Sequence, residues 1–89
     1  MIKKQITIIN KLGLHARAAA KLVSLASSFD SDIRITKQDK TVNAKSIMGV
    51  MMLAASQNSA ITVAVDGDDE NIAMQKINKL INDRFGEAE

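Results

Sequence analysis

The chain of 89 residues contains no cysteine, proline, tryptophan or tyrosine. Without cysteine there can be no disulfide, no dithiol redox pair and no thiolate metal site. The only aromatic residues are Phe29 and Phe85, both at positions expected to pack inward, so the stacking platforms typical of single-strand nucleic-acid binders are missing. The net charge of +2 is small, and the basic residues form no stripe. We therefore expect no nucleic-acid partner.

Long hydrophobic runs are also missing, since no apolar stretch approaches the ~20 residues of a membrane span. The N-terminal MIKKQITII alternates like a strand and does not resemble a signal peptide. A chain of this length has room for one hydrophobic core. We expect a single domain, residues 1–89, that is cytoplasmic and does not insert into a membrane.

The hydrophobic periodicity predicts seven elements in the order β-α-β-β-α-β-α. Strands are predicted at residues 3–9, around Ile33 and Ile35, at 41–43 and at 61–65. Helices are predicted at 16–29, at 47–53 and at about 70–85, with Gly86 ending the last one. The buried positions on the two long helices should be Ala19, Leu22, Val23, Ala26 and Phe29, and Ala73, Ile77, Leu80 and Ile81. Such an order favours an α+β fold with one four-stranded antiparallel sheet and the helices on a single face.

The start of the first long helix breaks an electrostatic rule. A helix N-terminus favours acidic groups, as the last helix shows with Asp68, Asp69 and Glu70. The first helix instead opens with His15, Ala16 and Arg17. Local rules tend to be broken at functional sites. An arriving anion would find free N–H groups, an imidazole and a guanidinium there, which favours a phosphate or carboxylate site with His15 as the nucleophile.

Simpler interpretations of these residues remain open. A single histidine near a turn is usually a solvated surface residue, and Arg17 alone would be an exposed helix residue. Metal binding is disfavoured because the chain offers no second histidine, no cysteine and no nearby carboxylate set. We expect no metal and no cofactor.

The short helix that follows Ser46 is apolar on almost every side. Val50 and Leu53 are expected to fill the core. Ile47, Met48 and Met51 are predicted to form an exposed docking patch, because flexible methionine suits a surface that adapts to several partners. Full burial of all three would exclude this hypothesis.

Ser46 is most simply an N-cap of the short helix. Phosphate added at that position would suit the helix dipole. The same dianion beside an apolar docking patch would hinder partners. Ser46 is therefore a candidate regulatory phosphorylation site.

Two segments resemble a known family: Asn10-Lys11-Leu12-Gly13-Leu14-His15-Ala16-Arg17, and Lys45-Ser46-Ile47-Met48-Gly49-Val50-Met51. They are similar to the histidine-containing phosphocarrier proteins (HPr) of the bacterial phosphoenolpyruvate-dependent phosphotransferase system. The likeness spans essentially the whole chain. It implies an open-faced β-sandwich with sheet order 1-4-2-3.

The resemblance also implies a function. Enzyme I would phosphorylate His15 on Nδ1, and IIA proteins or domains would receive the group, so the chain would be a phosphoryl carrier and not an enzyme. Arg17 and the backbone of Ala16, Arg17 and Ala18 would hold the phosphate. Ser46 would be the target of an HPr kinase/phosphorylase where one exists. We expect a monomer.

Ala18 departs from the family, which usually has proline after the arginine. Alanine is a good helix former, so the helix should still begin here, with less rigidity and one extra N–H donor. Three other functions stay open: a carrier of the nitrogen-related regulatory branch, a non-catalytic binding module switched by Ser46, and an RNA-binding α+β domain. The scarcity of aromatic residues argues against the last of these.

Overall fold

The computed structural model describes residues 1–89 and contains the seven predicted elements. The strands are β1 Ile2–Thr7, β2 Asp32–Lys37, β3 Lys40–Asn43 and β4 Ala60–Asp66, and the helices are α1 Ala16–Ser27, α2 Ile47–Met52 and α3 Glu70–Asn82. A short 3-10 turn, Arg84–Gly86, follows α3. None of the helices combines the length and the apolar composition that a membrane crossing requires.

The four strands form one antiparallel sheet in the order β1-β4-β2-β3. β4 is central: Ile61 lies opposite Ile6 of β1, and Val63 lies opposite Ile35 of β2. Because side chains alternate across a strand, these residues all point to one face. α1 and α3 pack together on that face. The expected open-faced β-sandwich with strand order 1-4-2-3 is therefore confirmed.

The core between the sheet and the helices is aliphatic, apart from one aromatic ring. The strands contribute alternating residues, and the helices contribute residues spaced three or four apart. Its fully buried side chains include Leu22, Ile33, Ile35, Val63, Val65, Ile77, Ile81 and Phe85. Of the predicted core positions, Val23, Phe29 and Leu80 are only half-buried, whereas Ala18 and Met74 are buried without having been predicted.

The predicted β1 and α1 were too long at their C-terminal ends. β1 ends at Thr7 and not at residue 9, although Ile8 still exchanges hydrogen bonds with the loop before β4. α1 ends at Ser27 and not at Phe29, because the Ser28 hydroxyl and N–H both bond to the Leu25 carbonyl and close the helix.

The end of α3 differs most from the prediction. The helix stops at Asn82, and Arg84 and Phe85 adopt positive φ angles of 57° and 54°. This left-handed backbone is unfavourable for such residues. It is stabilised by full burial of the Phe85 ring and by the Lys21 ammonium, which donates to the Phe85 carbonyl at 2.6 Å. The chain consequently turns back, whereas a helix continued to residue 85 would run onward.

Candidate functional site

A tight turn places His15 at the start of α1. Gly13 has a φ of +68°, and a Cβ built on it would lie 2.5 Å from the carbonyl oxygen of Ala55, so only glycine fits. The next residue, Leu14, is buried and donates its N–H to the same Ala55 carbonyl at 2.8 Å. The Leu14 hydrogen bond and the close approach of Gly13 hold this turn against the α2–β4 connection and fix the direction in which α1 begins.

His15 is the N-cap of α1. Its backbone is extended, and its Nδ1 atom accepts the N–H of Arg17 at 3.2 Å. An unprotonated nitrogen is required to accept that bond, so Nδ1 carries a lone pair in this arrangement. The side chain is 28% exposed, so it is only partly covered by the chain.

The other ring nitrogen contacts an acidic side chain from the C-terminal segment. Nε2 of His15 pairs with a carboxylate oxygen of Glu87, and the second oxygen of Glu87 accepts a hydrogen bond from Asn10 Nδ2 at 3.0 Å. The hydrogen bond from Asn10, reinforced by the one from His15, lowers the pKa of Glu87 below its usual value. Sequence reasoning missed Glu87, because residues 15 and 87 are far apart in the chain.

Asn10 begins the turn that leads to His15, with its carbonyl accepting the Gly13 N–H at 3.2 Å. Its φ is not positive, and its side chain is fully buried, donating to the Gly13 carbonyl at 2.8 Å as well as to Glu87. Asparagine at this position therefore organises the turn through its side chain.

The Arg17 guanidinium makes no hydrogen bond or ion pair within the chain. It borders a cleft of about 420 Å³ whose lining consists of Lys11, Leu12, Arg17, Glu87, Ala88 and Glu89. The backbone N–H groups of Ala16 and Ala18 have no acceptor in the chain either. Ala16 and Arg17 are exposed, whereas Ala18 has no exposed surface. The geometry thus offers the N–H groups of Ala16 and Arg17 and one free cation beside His15.

Ser46 is the N-cap of α2, as predicted. Its Oγ accepts the N–H of Gly49 at 3.2 Å, and the residue is half-buried. The side chain of the neighbouring Lys45 is directed away, donating to the Phe29 carbonyl at 2.7 Å.

The predicted docking patch is exposed. Ile47, Met48 and Met51 are 42%, 68% and 42% exposed, whereas Val50 and Leu53 are buried as expected. Met52 and Leu12 also present large apolar surfaces. Because α2 packs against α1, this patch lies on the helix next to the one that begins at His15. No three His, Cys, Asp or Glu side chains lie close enough together to hold a metal ion.

Comparison with known proteins gives consistent results. Residues 2–83 match the family described as the PTS HPr component phosphorylation site. The chain is 54% identical to the phosphocarrier protein HPr of Cupriavidus necator over 89 residues, covering 100% of both chains. It is 44% identical over 87 residues to the phosphocarrier protein NPr of Shewanella violacea, covering 98% of this chain and 96% of that one.

Two solved structures from Thermoanaerobacter tengcongensis are also similar. The structure of HPr-C-His has a TM-score of 0.96 and 47% identity, with 100% of both chains covered. An HPr dimer has a TM-score of 0.79 and 48% identity, with 98% of this chain and 100% of that chain covered. The agreement extends over the fold and the whole length of the sequence.

Proposed function

This chain belongs to the HPr family of phosphocarrier proteins, and on that premise we propose that His15 accepts a phosphoryl group on Nδ1 from phosphorylated Enzyme I and passes it to IIA proteins or domains. The observation that carries the proposal is the partly exposed His15 ring, whose Nδ1 lone pair accepts the Arg17 N–H in the first turn of α1. The proposed carrier acts in the cytoplasm as a monomer.

In the proposed reaction the Nδ1 lone pair attacks the phosphorus atom. A nitrogen–phosphorus bond forms, and the bond between phosphorus and the donor's leaving atom breaks, with its electron pair staying on the donor. The Arg17 N–H, which bonds to Nδ1 beforehand, then donates to a phosphoryl oxygen instead. Transfer to the IIA acceptor is the same step in reverse. Catalysis here is positioning and electrostatics.

The new dianion would be held by groups that have no partner or lose their partner when His15 is phosphorylated. The Ala16 N–H and the Arg17 guanidinium are exposed and have no acceptor in the chain, and the Arg17 N–H loses its acceptor when Nδ1 bonds phosphorus. Ala18, the third amide of the proposed phosphate-binding backbone, is buried and would be the weakest donor of the three. This arrangement holds the phosphate at the surface, where an acceptor protein can reach it.

The docking patch of Ile47, Met48 and Met51 is the proposed contact surface for both donor and acceptor, since exposed apolar patches commonly mark interaction sites. Ser46 is the proposed regulatory phosphorylation site. A phosphate on its hydroxyl would suit the start of α2 but would place a dianion beside Ile47 and Met48. Partner docking would weaken as a result.

The function is tested by incubating the chain with phosphoenolpyruvate and Enzyme I. We expect an acid-labile, base-stable phosphate, and His15 is the single histidine that could carry it. His15→Ala should abolish labelling. His15→Asn is the matched control for folding, because asparagine is a good N-cap but cannot accept the phosphoryl group.

The test has two arms, because a relative named NPr is also similar to this chain. Both sugar-type and nitrogen-type Enzyme I should be offered, and faster labelling by the sugar-type enzyme is expected. Preference for the nitrogen-type enzyme would assign the chain to the regulatory branch. No labelling by either, with target binding that survives His15→Asn, would instead indicate a non-catalytic binding module.

A further inference from the structure

Residues 84–89, which follow α3, form a strap that crosses the site. The buried Phe85 ring and the Lys21 bond to its carbonyl anchor one end. At the other end, the Lys11 N–H donates to the Glu89 carbonyl at 2.6 Å. Glu87 lies between these two anchors, so its position is fixed by the backbone on both sides. The family match covers residues 2–83 and therefore does not include this strap.

The Glu87 carboxylate links a buried amide to the reactive ring. It is 19% exposed, with one oxygen on Asn10 Nδ2 and the other on His15 Nε2. Asn10 is itself held by the Gly13 carbonyl, so its amide orientation is determined by the turn. The hydrogen bonds from Asn10 and His15, with the nearby Lys21 charge, lower the pKa of Glu87, so the group is ionised at neutral pH.

Hydrogen-bond chemistry then determines the tautomer of His15. An ionised carboxylate can only accept, so Nε2 must carry the proton. On the opposite edge of the ring, Nδ1 accepts the Arg17 N–H and therefore cannot carry one. Two contacts made by different segments of the chain thus require the same tautomer.

We propose that Glu87 is a positioning residue, which holds His15 in the tautomer whose nucleophile is Nδ1 and balances the positive charge that the ring gains when Nδ1 bonds phosphorus. Asn10 orients Glu87 in turn. The inference rests on the proposed phosphocarrier function and adds to it a residue from outside the matched stretch. A carboxylate that orients a catalytic histidine and stabilises its charged form is a known catalytic device in other proteins.

The test compares Glu87→Gln with Asp83→Asn, which makes the same charge change at the residue directly after α3. Asn10 and His15 contact different oxygens of Glu87, and glutamine has an NH₂ group, which can only donate, in place of one of them. When its oxygen bonds to Asn10, its amide donates to Nε2 and forces the proton to Nδ1, against the Arg17 N–H. Asp83 is exposed and its side chain makes no hydrogen bond, so its variant should behave as wild type.

Two readouts are expected to change in Glu87→Gln alone. In two-bond ¹H–¹⁵N spectra of the neutral ring, wild type should show a protonated Nε2 and a bare Nδ1, and the variant should lose this bias. Phosphorylation by Enzyme I should slow about 10- to 100-fold, through kcat with little change in KM. Glu87→Asp, which keeps a carboxylate on a shorter side chain, should recover part of the rate and confirms that folding is intact.

The outcomes separate this inference from the proposed function. A wild-type ring with its proton on Nδ1 would overturn the inference, as would a Glu87→Gln variant with wild-type spectrum and rate. Equal slowing in Asp83→Asn would also overturn it, because a general charge effect would then suffice. A wild type that is never phosphorylated would instead refute the proposed function, whatever the ring spectra show.

Discussion

At the scale of single residues, the contacts of His15 and Arg17 explain why α1 begins with these residues and not with acidic ones. His15 performs the structural task of an N-cap by accepting the Arg17 N–H. The Arg17 guanidinium is left without a partner in the chain, which is costly beside a helix N-terminus and useful beside an incoming anion. The Arg17 guanidinium, which breaks the electrostatic rule for a helix start in the sequence, is therefore the same group that lacks a partner in the structure.

The residue that departs from the family pattern gives a stability prediction. The Ala18 N–H has no acceptor, so Ala18→Pro removes no hydrogen bond and restricts the unfolded chain. We expect the free energy of unfolding to rise by about 0.4–1 kcal/mol, measured by urea denaturation.

Ala19→Pro is the matched control for this change. Its N–H donates to the His15 carbonyl at 2.8 Å. Losing that bond inside the helix should cost about 3 kcal/mol. Equal destabilisation by both substitutions would show that the buried site of Ala18 has no space for the ring.

At the scale of elements, α2 is a helix of six residues that depends on its ends. Helices this short are unstable in isolation. Ser46 caps the N-terminus, and the ammonium groups of Lys37 and Lys40 donate to the Ala54 and Met52 carbonyls at 3.2 and 3.3 Å near the C-terminus. These end contacts and the burial of one face let α2 present its other apolar side chains to solvent.

Removal of the cap tests this account. Ser46→Ala should lower the free energy of unfolding by about 0.5–2 kcal/mol, because the Gly49 N–H loses its acceptor. Ser46→Asp retains an acceptor with a charge that suits the helix dipole, so it should be more stable than Ser46→Ala.

Ser24→Ala serves as the control in the same denaturation series. Ser24 is exposed on α1 and makes no side-chain hydrogen bond. Its replacement should leave stability unchanged or slightly higher, since alanine is the better helix former. A loss as large as that of Ser46→Ala would contradict a capping role.

At the scale of the whole molecule, one carboxylate joins segments that are distant in sequence. Asp69, just before α3, accepts hydrogen bonds from the Ser31 hydroxyl, from the Ser31 N–H at 3.0 Å and from the Asp30 N–H at 2.8 Å. The Ser31 hydroxyl contributes most, followed by the Asp30 N–H, to a pKa below the ordinary value of 3.8. Asp69 thus holds the start of α3 against the connection between α1 and β2.

This shift has a defined consequence for acid stability. Because the pKa is lower in the folded state, the unfolded state binds the proton more readily, and protonation favours unfolding. The stabilisation is complete well above pH 3.8 and is lost as the pH falls through the folded-state value. The melting temperature of the wild-type protein should therefore decrease as the pH is lowered through this range. The melting temperature of Asp69→Asn should be lower than that of wild type at neutral pH and should change less with pH.

Asp39→Asn is the control for this pH profile. Asp39 lies in the exposed turn between β2 and β3 and makes no hydrogen bond. Its variant should follow the wild-type curve. An Asp69→Asn curve that keeps the full acid dependence of wild type would assign that dependence to other carboxylates, such as Glu87, whose pKa is also lowered.

The sequence by itself determined the elements and their faces. Alternation in 61–65 and helical spacing in the two long helices identified buried sides correctly, because burial of a side chain depends on its position along a regular backbone. The family resemblance supplied the strand order, which alternation alone cannot, since it shows which face of a strand is buried but not which strand lies beside it. His15, Arg17 and Ser46 could be singled out because their signals are local, at helix starts.

Only the tertiary structure decided the end of α3 and the surroundings of Nε2. Helical spacing continues to residue 85, but burial of Phe85 and its contact with Lys21 favour a left-handed turn over another turn of helix. That turn carries Glu87 to His15, 72 residues away in the chain. A pairing of this kind leaves no periodic or spacing signal in the sequence, because it depends on where two distant segments meet after the core has formed.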